Sequence, residues 1–454
     1  MRGALCVWVR LLRHRDSGGH LPTVLAVLAF AAATWAVLTV TGGVQAFTER
    51  ARLAEVTSDA RVYPLLAVVS VALLVVPTAA LGGAAARLTV ARRDERLSRL
   101  RLAGATSAQT GAVALLDAGL QAVAGALAGA VLDVLTTPAV ALLRFQGRAF
   151  EPAELRLGPL PVVATVAAVL TVSLVSCAVS LRRVVVTPLG VAQRLPAKPL
   201  SWVRVLPVLV VGVAFTLAFR VLGELTASVG LAAAVLVLAV LLAGTFALYN
   251  LVGPFLLSLL GRLLASRARS VPTLLAARRI ADDPRSAWRS VGGIALVTFV
   301  AGCLSVVPGM TATEGGDAEG QRTQTLLTDI GTGALVTLVI AAVLAAVSTG
   351  VTQACRALDS APQHRALHLA GTDVAVLHAA RSRETWVPLL VTTGGAALTA
   401  LLVVSPLLAV LRSAPVGVLL FVACAVGGGG LVVLASRASR PLVAQAADLS
   451  RPVR

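Results

Sequence analysis

The feature that most constrains this chain is a succession of apolar runs separated by short gaps rich in arginine. Runs of about 20 residues cross a hydrocarbon core of roughly 30 Å as α-helices. Inside lipid only a helix or a closed barrel pairs all of its backbone polar groups. Ten runs can be drawn, at 22–46, 63–86, 110–140, 159–181, 204–220, 229–261, 290–311, 329–353, 385–410 and 415–436. The fifth is the shortest, because Arg220 limits it. The third and sixth exceed what a bilayer needs, which implies tilt, a kink or an extension into water. Pro77 and Pro254 can supply kinks in the second and sixth. Only 13% of the 454 residues are charged, against about 25% in soluble chains. The fold class this predicts is all-α: a polytopic transmembrane helical bundle of about ten spans.

A net charge of +18 raises the question of nucleic acid. The aromatic content is only 4%, and no stretch concentrates the basic residues into a domain, so nucleic acid is not an expected partner. The arginines fall instead in the gaps, where membrane topology places them. With a cytosolic N-terminus, 30 of the 39 Lys and Arg lie in cytosolic segments. The C-terminus is then also cytosolic, and the net acidic stretch Ala312–Thr328 is an outer loop. The first run is long and follows a basic tail without a cleavage signal, which reads as a retained first helix. One lysine against 38 arginines, with abundant Ala, Val, Leu and Gly, hints at a GC-rich bacterial genome and hence a bacterial cell membrane. The five cysteines, Cys6, Cys177, Cys303, Cys355 and Cys424, form no close pair and read as small apolar residues.

The chain also repeats itself. LRLAGAT at Leu100–Thr106 returns 267 residues later as LHLAGTD at Leu367–Asp373, again between apolar runs. Asp117 and Glu384 come after their copies at equal distance, and glycine-rich stretches succeed both. PLGVAQ at Pro188–Gln193 is matched by PLVAQ at Pro441–Gln445. Residues 1–200 therefore read as one four-span unit, 201–265 as two linking helices, and 266–454 as a second four-span unit. Six spans separate equivalent points, so the repeats are parallel, related by an axis along the membrane normal. Each unit opens with a basic lead-in. In the second, Pro284 is expected to break a short helix on the membrane surface, with Trp288 at the interface.

Arg92, Arg96 and Arg99 share one face of a helix, beside a face carrying Leu97, Leu100 and Gly104. The sequence Ala91–Ala130 resembles the FtsX-like permease domain of ABC transporters. That domain has a charged cytosolic segment, a Leu-Gly-Ala-Thr phrase, an acidic residue early in the next helix and small-residue packing after it. Those roles fall on Arg92–Arg99, Ala103–Thr106, Asp117, and Gly125 with Gly129. The second copy keeps Leu369, Ala370, Gly371, Thr372 and Glu384, but its upstream charges are reduced to DSAPQHR. The ten-span plan is similar to single-chain permeases of bacitracin-resistance-type exporters, without their large extracellular domain.

The resemblance implies a permease that couples ATP hydrolysis, by a dimer of separate cytosolic ATPase subunits, to export or membrane extraction of a hydrophobic or amphipathic compound. It implies coupling contacts at Arg92, Arg96, Leu97, Arg99, Leu100, Leu102 and Gly104, and at Leu367, Leu369 and Gly371. Asp117 and Glu384 are candidates for transmitting movement. Plainer readings stand beside these. The arginine face can simply snorkel to anionic lipid. Asp117 and Glu384 can be favoured by a helix-start dipole, and Glu384 can pair with Arg381 or Arg383. Asp133, at the outer part of the third span, can be functional or merely within reach of water.

No catalytic motif is evident. A P-loop needs G-x-x-x-x-G-K-[ST], and Lys198 has no glycine loop before it. HExxH and GxSxG are absent, so no enzyme activity and no cofactor are expected. His364 and His368 are spaced i, i+4, but no further ligand motif supports a metal. Gly427–Gly430, within the tenth run, suits close packing rather than phosphate binding. Two other readings remain: an FtsX-type regulatory membrane protein with a membrane or sensor partner, and an ion-driven secondary transporter. The bareness of the spans disfavours the latter.

Overall fold

The computed structural model describes residues 21–53, 62–68, 106–185, 231–305, 318–359 and 370–404, with scattered helical positions among 70–81 and 419–434. These residues are overwhelmingly helical. The elements are α1 Leu21–Leu53, α2 Ser107–Ala141, the two-residue strands β1 Arg144–Phe145 and β2 Arg148–Ala149, α3 Pro152–Leu155 and α4 Pro159–Val185. They continue with α5 Leu231–Ser266, α6 Val271–Asp282, α7 Pro284–Leu304, α8 Ala318–Asp359 and α9 Val374–Val404. Among the described residues, four segments are long and apolar enough to cross a membrane: Thr23–Leu53, Gly111–Ala141, Gln324–Gln353 and Ala379–Leu402. Pro159–Val175 within α4 and Leu251–Ser266 within α5 are shorter apolar stretches. The chain is thus a helical protein of membrane-embedded type. The fifth expected span and most of the tenth lie outside the described residues.

Several expected boundaries move. The first span continues to Leu53, and the ninth begins at Val374, eleven positions before 385. The stretch Ala312–Thr328, expected as a loop, is helical from Ala318 onward. A 42-residue helix such as α8 is about 63 Å long at 1.5 Å per residue. It is therefore longer than a hydrocarbon core is thick, and its first turns are polar in sequence.

The chain divides into two compact units. The first contains the N-terminal part of α1, nearly all of α2, and α4. Its seam is built on small residues. A Cβ on Gly125 would lie 2.5 Å from Phe30 Cβ, and one on Gly129 would lie 2.5 Å from Ala31 O. Only glycine at these two positions, spaced i, i+4, lets α1 and α2 approach so closely, which is how membrane helices gain contact in the absence of a hydrophobic drive. Polar ties reinforce the seam. Trp35 Nε1 donates to Thr136 Oγ1 at 2.9 Å, and Thr39 Oγ1 donates to Asp133 Oδ1 at 2.8 Å.

The second unit contains α5–α9, the end of α1, the start of the second apolar run and the β-hairpin. Its core joins Leu257 of α5, Ile280 of α6, Ala287, Trp288, Ala295 and Phe299 of α7, and Ala396 and Ala400 of α9. Here the structure corrects an expectation. Trp288 is 5% exposed and forms part of this core, not an interfacial anchor. A Cβ on Gly253 would sit 2.1 Å from its ring, so the indole fills the slot that this glycine leaves open. The break expected at Pro284 is present, between the short helix α6 and α7. α6 ends at Asp282, Asp283 accepts a hydrogen bond from Ser286 N at 3.1 Å, and Pro284 occupies the first turn of α7, where its missing N–H costs nothing.

Candidate functional site

The second unit holds the most developed polar arrangement among the described residues. Asp329 of α8 is 6% exposed. Its Oδ2 accepts from the Tyr63 hydroxyl at 2.7 Å and from the Gln146 backbone N–H at 2.7 Å. Gln146 and Gly147 form the two-residue turn between β1 and β2, with φ of 57° and 76°. Two positive φ values define a turn whose twist matches a hairpin. The left-handed region disfavours a glutamine by about 1–2 kcal/mol, and the bond to Asp329 holds it there.

The other side of the hairpin rests on Arg50, near the C-terminal end of α1, which is 4% exposed. Its guanidinium donates to Phe145 O at 3.2 Å and to Ala149 O at 3.0 Å, and lies 4.2 Å from the centre of the Phe150 ring. Phe47 stacks on Tyr63 and meets Phe145 and Phe150 edge-on. A chain with only 4% aromatic residues thus gathers four of them here. Excluding water, they strengthen the polar contacts at their border. The node gathers α1, the second apolar run, the hairpin and α8.

Ser70 Oγ and Thr337 Oγ1 lie 3.0 Å apart in a hydroxyl–hydroxyl hydrogen bond. Their separation along the chain is 267 residues, the spacing of the repeated phrase.

Most of the residues singled out in the sequence, Arg92, Arg96, Leu97, Arg99, Leu100, Leu102, Gly104, Leu367 and Leu369, lie outside the described residues, as do His364 and His368. The helix starts beyond both phrases belong to the described residues. Thr106 and Gln109 form a reciprocal capping box at the start of α2, with Thr106 N to Gln109 Oε1 at 3.0 Å and Gln109 N to Thr106 Oγ1 at 3.2 Å. In the second copy Gly371 has φ of 91°, a backbone that favours glycine. Asp373 Oδ1 accepts from Ala375 N at 3.1 Å at the start of α9. The last residue of both phrases therefore caps the next helix.

Asp117 and Glu384 each lie ten residues past their helix starts, Ser107 and Val374. The helix-start dipole reading fails for both, since that field fades within the first turn. Asp117 Oδ1 accepts from Gln121 Nε2 at 3.3 Å, one turn on. Glu384 forms an ion pair with Arg279 of α6 at 3.5 Å, its side chain 14% exposed. Arg383 donates to Ser270 Oγ at 2.6 Å and to Thr273 Oγ1. These contacts tie the start of α9 to α6.

The elements thus define a membrane-type helical bundle with a buried polar node and two matched helix starts. Comparison with family models, curated proteins and solved structures finds no match to the chain.

Proposed function

We propose that the chain is the permease subunit of an ABC transporter, set in a bacterial cell membrane with both termini cytosolic. It has about ten spans in two parallel four-span repeats, and a dimer of separate ATPase subunits drives it. The observation that carries this reading is the pairing of the two phrases. LRLAGAT and LHLAGTD stand 267 residues apart, and Thr106 and Asp373, at corresponding positions, cap long apolar helices. A force applied at such a phrase enters the next helix at its first turn. The Ser70–Thr337 bond lends further support. In a two-fold arrangement, a residue meets its own equivalent only at the axis. A two-fold permease suits a two-fold ATPase dimer.

In this orientation the Arg50–Tyr63–Asp329 node lies at the outer side. It ties the hairpin after the third span to the eighth span, and so one repeat to the other. ATPase closure would tilt the four-span units and change this outer surface, expelling or extracting a hydrophobic or amphipathic compound. The test is affinity purification from the native host. Wild-type protein should carry an ATPase with it, and Leu100→Asp with Leu367→Asp should lose it. Undiminished ATPase binding by the double variant would overturn the reading.

A further inference from the structure

The core-facing side of α6 is accounted for by Ala276, Ala277 and Ile280, all buried. Its opposite side carries Val271, Leu274 and Arg278, at i, i+3 and i+7. Val271 is 60% exposed and Leu274 40%. The residues leading into the helix add exposed arginines at 262, 267 and 269. The nearby acids do little to offset them. Glu384 is paired with Arg279, Asp283 caps α7, and Asp282 remains at the far end.

α6 packs between the polar end of apolar helix α5 and the start of α9, where the apolar window Ala379–Leu402 begins. With that window set across a bilayer, α6 would lie at the depth where hydrocarbon gives way to headgroups. Two apolar side chains flanked by arginines match that boundary: the first enter the acyl region and the second reach phosphates.

We propose that Val271, Leu274 and the arginines at 262, 267, 269 and 278 form a docking surface for anionic phospholipid headgroups. Arg279–Glu384 and Arg383–Ser270 hold α6 to α9 beside this surface. The proposal needs only a membrane-embedded chain and stands independently of the ATPase reading.

The experiment uses the full chain in detergent, titrated with phosphatidylglycerol or phosphatidylcholine, with retained lipid read by native mass spectrometry. The expected result is a preference for phosphatidylglycerol of roughly tenfold or more, on the order of what two or three basic residues give at an anionic surface. Changing Arg267, Arg269 and Arg278 to Gln should abolish the preference, and Lys at the same positions should restore it. Changing Val271 and Leu274 to Ser should weaken retention of both lipids while keeping the preference. Equal retention of the two lipids, or a preference surviving in the Gln variant, would overturn the proposal. So would full competition by inorganic phosphate, which would mark a site for the free anion. Loss of ATPase co-purification in the Gln variant, with lipid preference intact, would reassign the surface to a protein contact.

Discussion

Replacing Asp329 with alanine removes the acceptor that fixes the hairpin turn. Two hydrogen bonds of 2.7 Å end on Oδ2, one from Tyr63 and one from the Gln146 N–H. A hydrogen bond to a carboxylate contributes about 1.5–3 kcal/mol. The two share an acceptor and are not additive, so a loss of about 3 kcal/mol is reasonable for the local structure. Gln146 would then hold its left-handed backbone without support, which adds to the tendency to open. At 1.4 kcal/mol per factor of ten, the open hairpin becomes roughly a hundredfold more populated. Arg144 and Arg148 are exposed on that hairpin, so trypsin reads the opening directly. When opening is fast relative to cleavage, the cleavage rate tracks the open population. Asp329→Asn keeps an oxygen at the Oδ2 position and should raise cleavage by about tenfold or less, since a neutral acceptor gives up about half of each bond. An Asp329→Ala variant cleaved at the wild-type rate would refute this account of the node.

The same kinds of contact set further expectations. Gly129→Leu should separate α1 from α2 and lower the melting temperature in detergent, as overpacking costs about 1–3 kcal/mol. Trp288→Ala should destabilise by about 3–5 kcal/mol in chemical denaturation, because it empties a core slot; an interfacial tryptophan would cost far less. Glu384→Gln should cost about 3 kcal/mol, the low end for breaking a buried pair, since both side chains keep some exposure, and exchanging Arg279 with Glu384 should recover part of it. If the first phrase makes the stronger ATPase contact, as its arginine face suggests, Leu100→Asp alone should reduce co-purification more than Leu367→Asp alone.

The apolar helices and the small-residue seam are readable in the sequence because each is local. The resemblance assigns small-residue packing to Gly125 and Gly129, and the structure places both against α1. The repeated phrase is visible as a pattern, but its structural part, a cap at Thr106 and at Asp373, emerges from hydrogen bonds. Ser/Thr-x-x-Gln at Thr106–Gln109 is the signal that could have found the first of them. The node is not legible in the same way. Its members stand at 47–50, 63, 145–150 and 329, and only folding brings them together. Gln-Gly is a weak hairpin signal beside Asn-Gly, and in sequence Asp329 resembles the edge of a span. Trp288 misleads for a related reason. A tryptophan at the end of an apolar run resembles an interface anchor, and the glycine that receives it lies 35 positions upstream at Gly253.

The most direct test of the central claim is co-purification of an ATPase with the tagged chain, with nucleotide hydrolysis then measured in the purified complex. A permease of the proposed kind brings an ATPase at a defined ratio, and the complex hydrolyses ATP. Leu100→Asp with Leu367→Asp loses the ATPase, while its hairpin resists trypsin as the wild type does. Transport by the purified chain driven by a proton gradient, with no ATPase bound, would contradict the account.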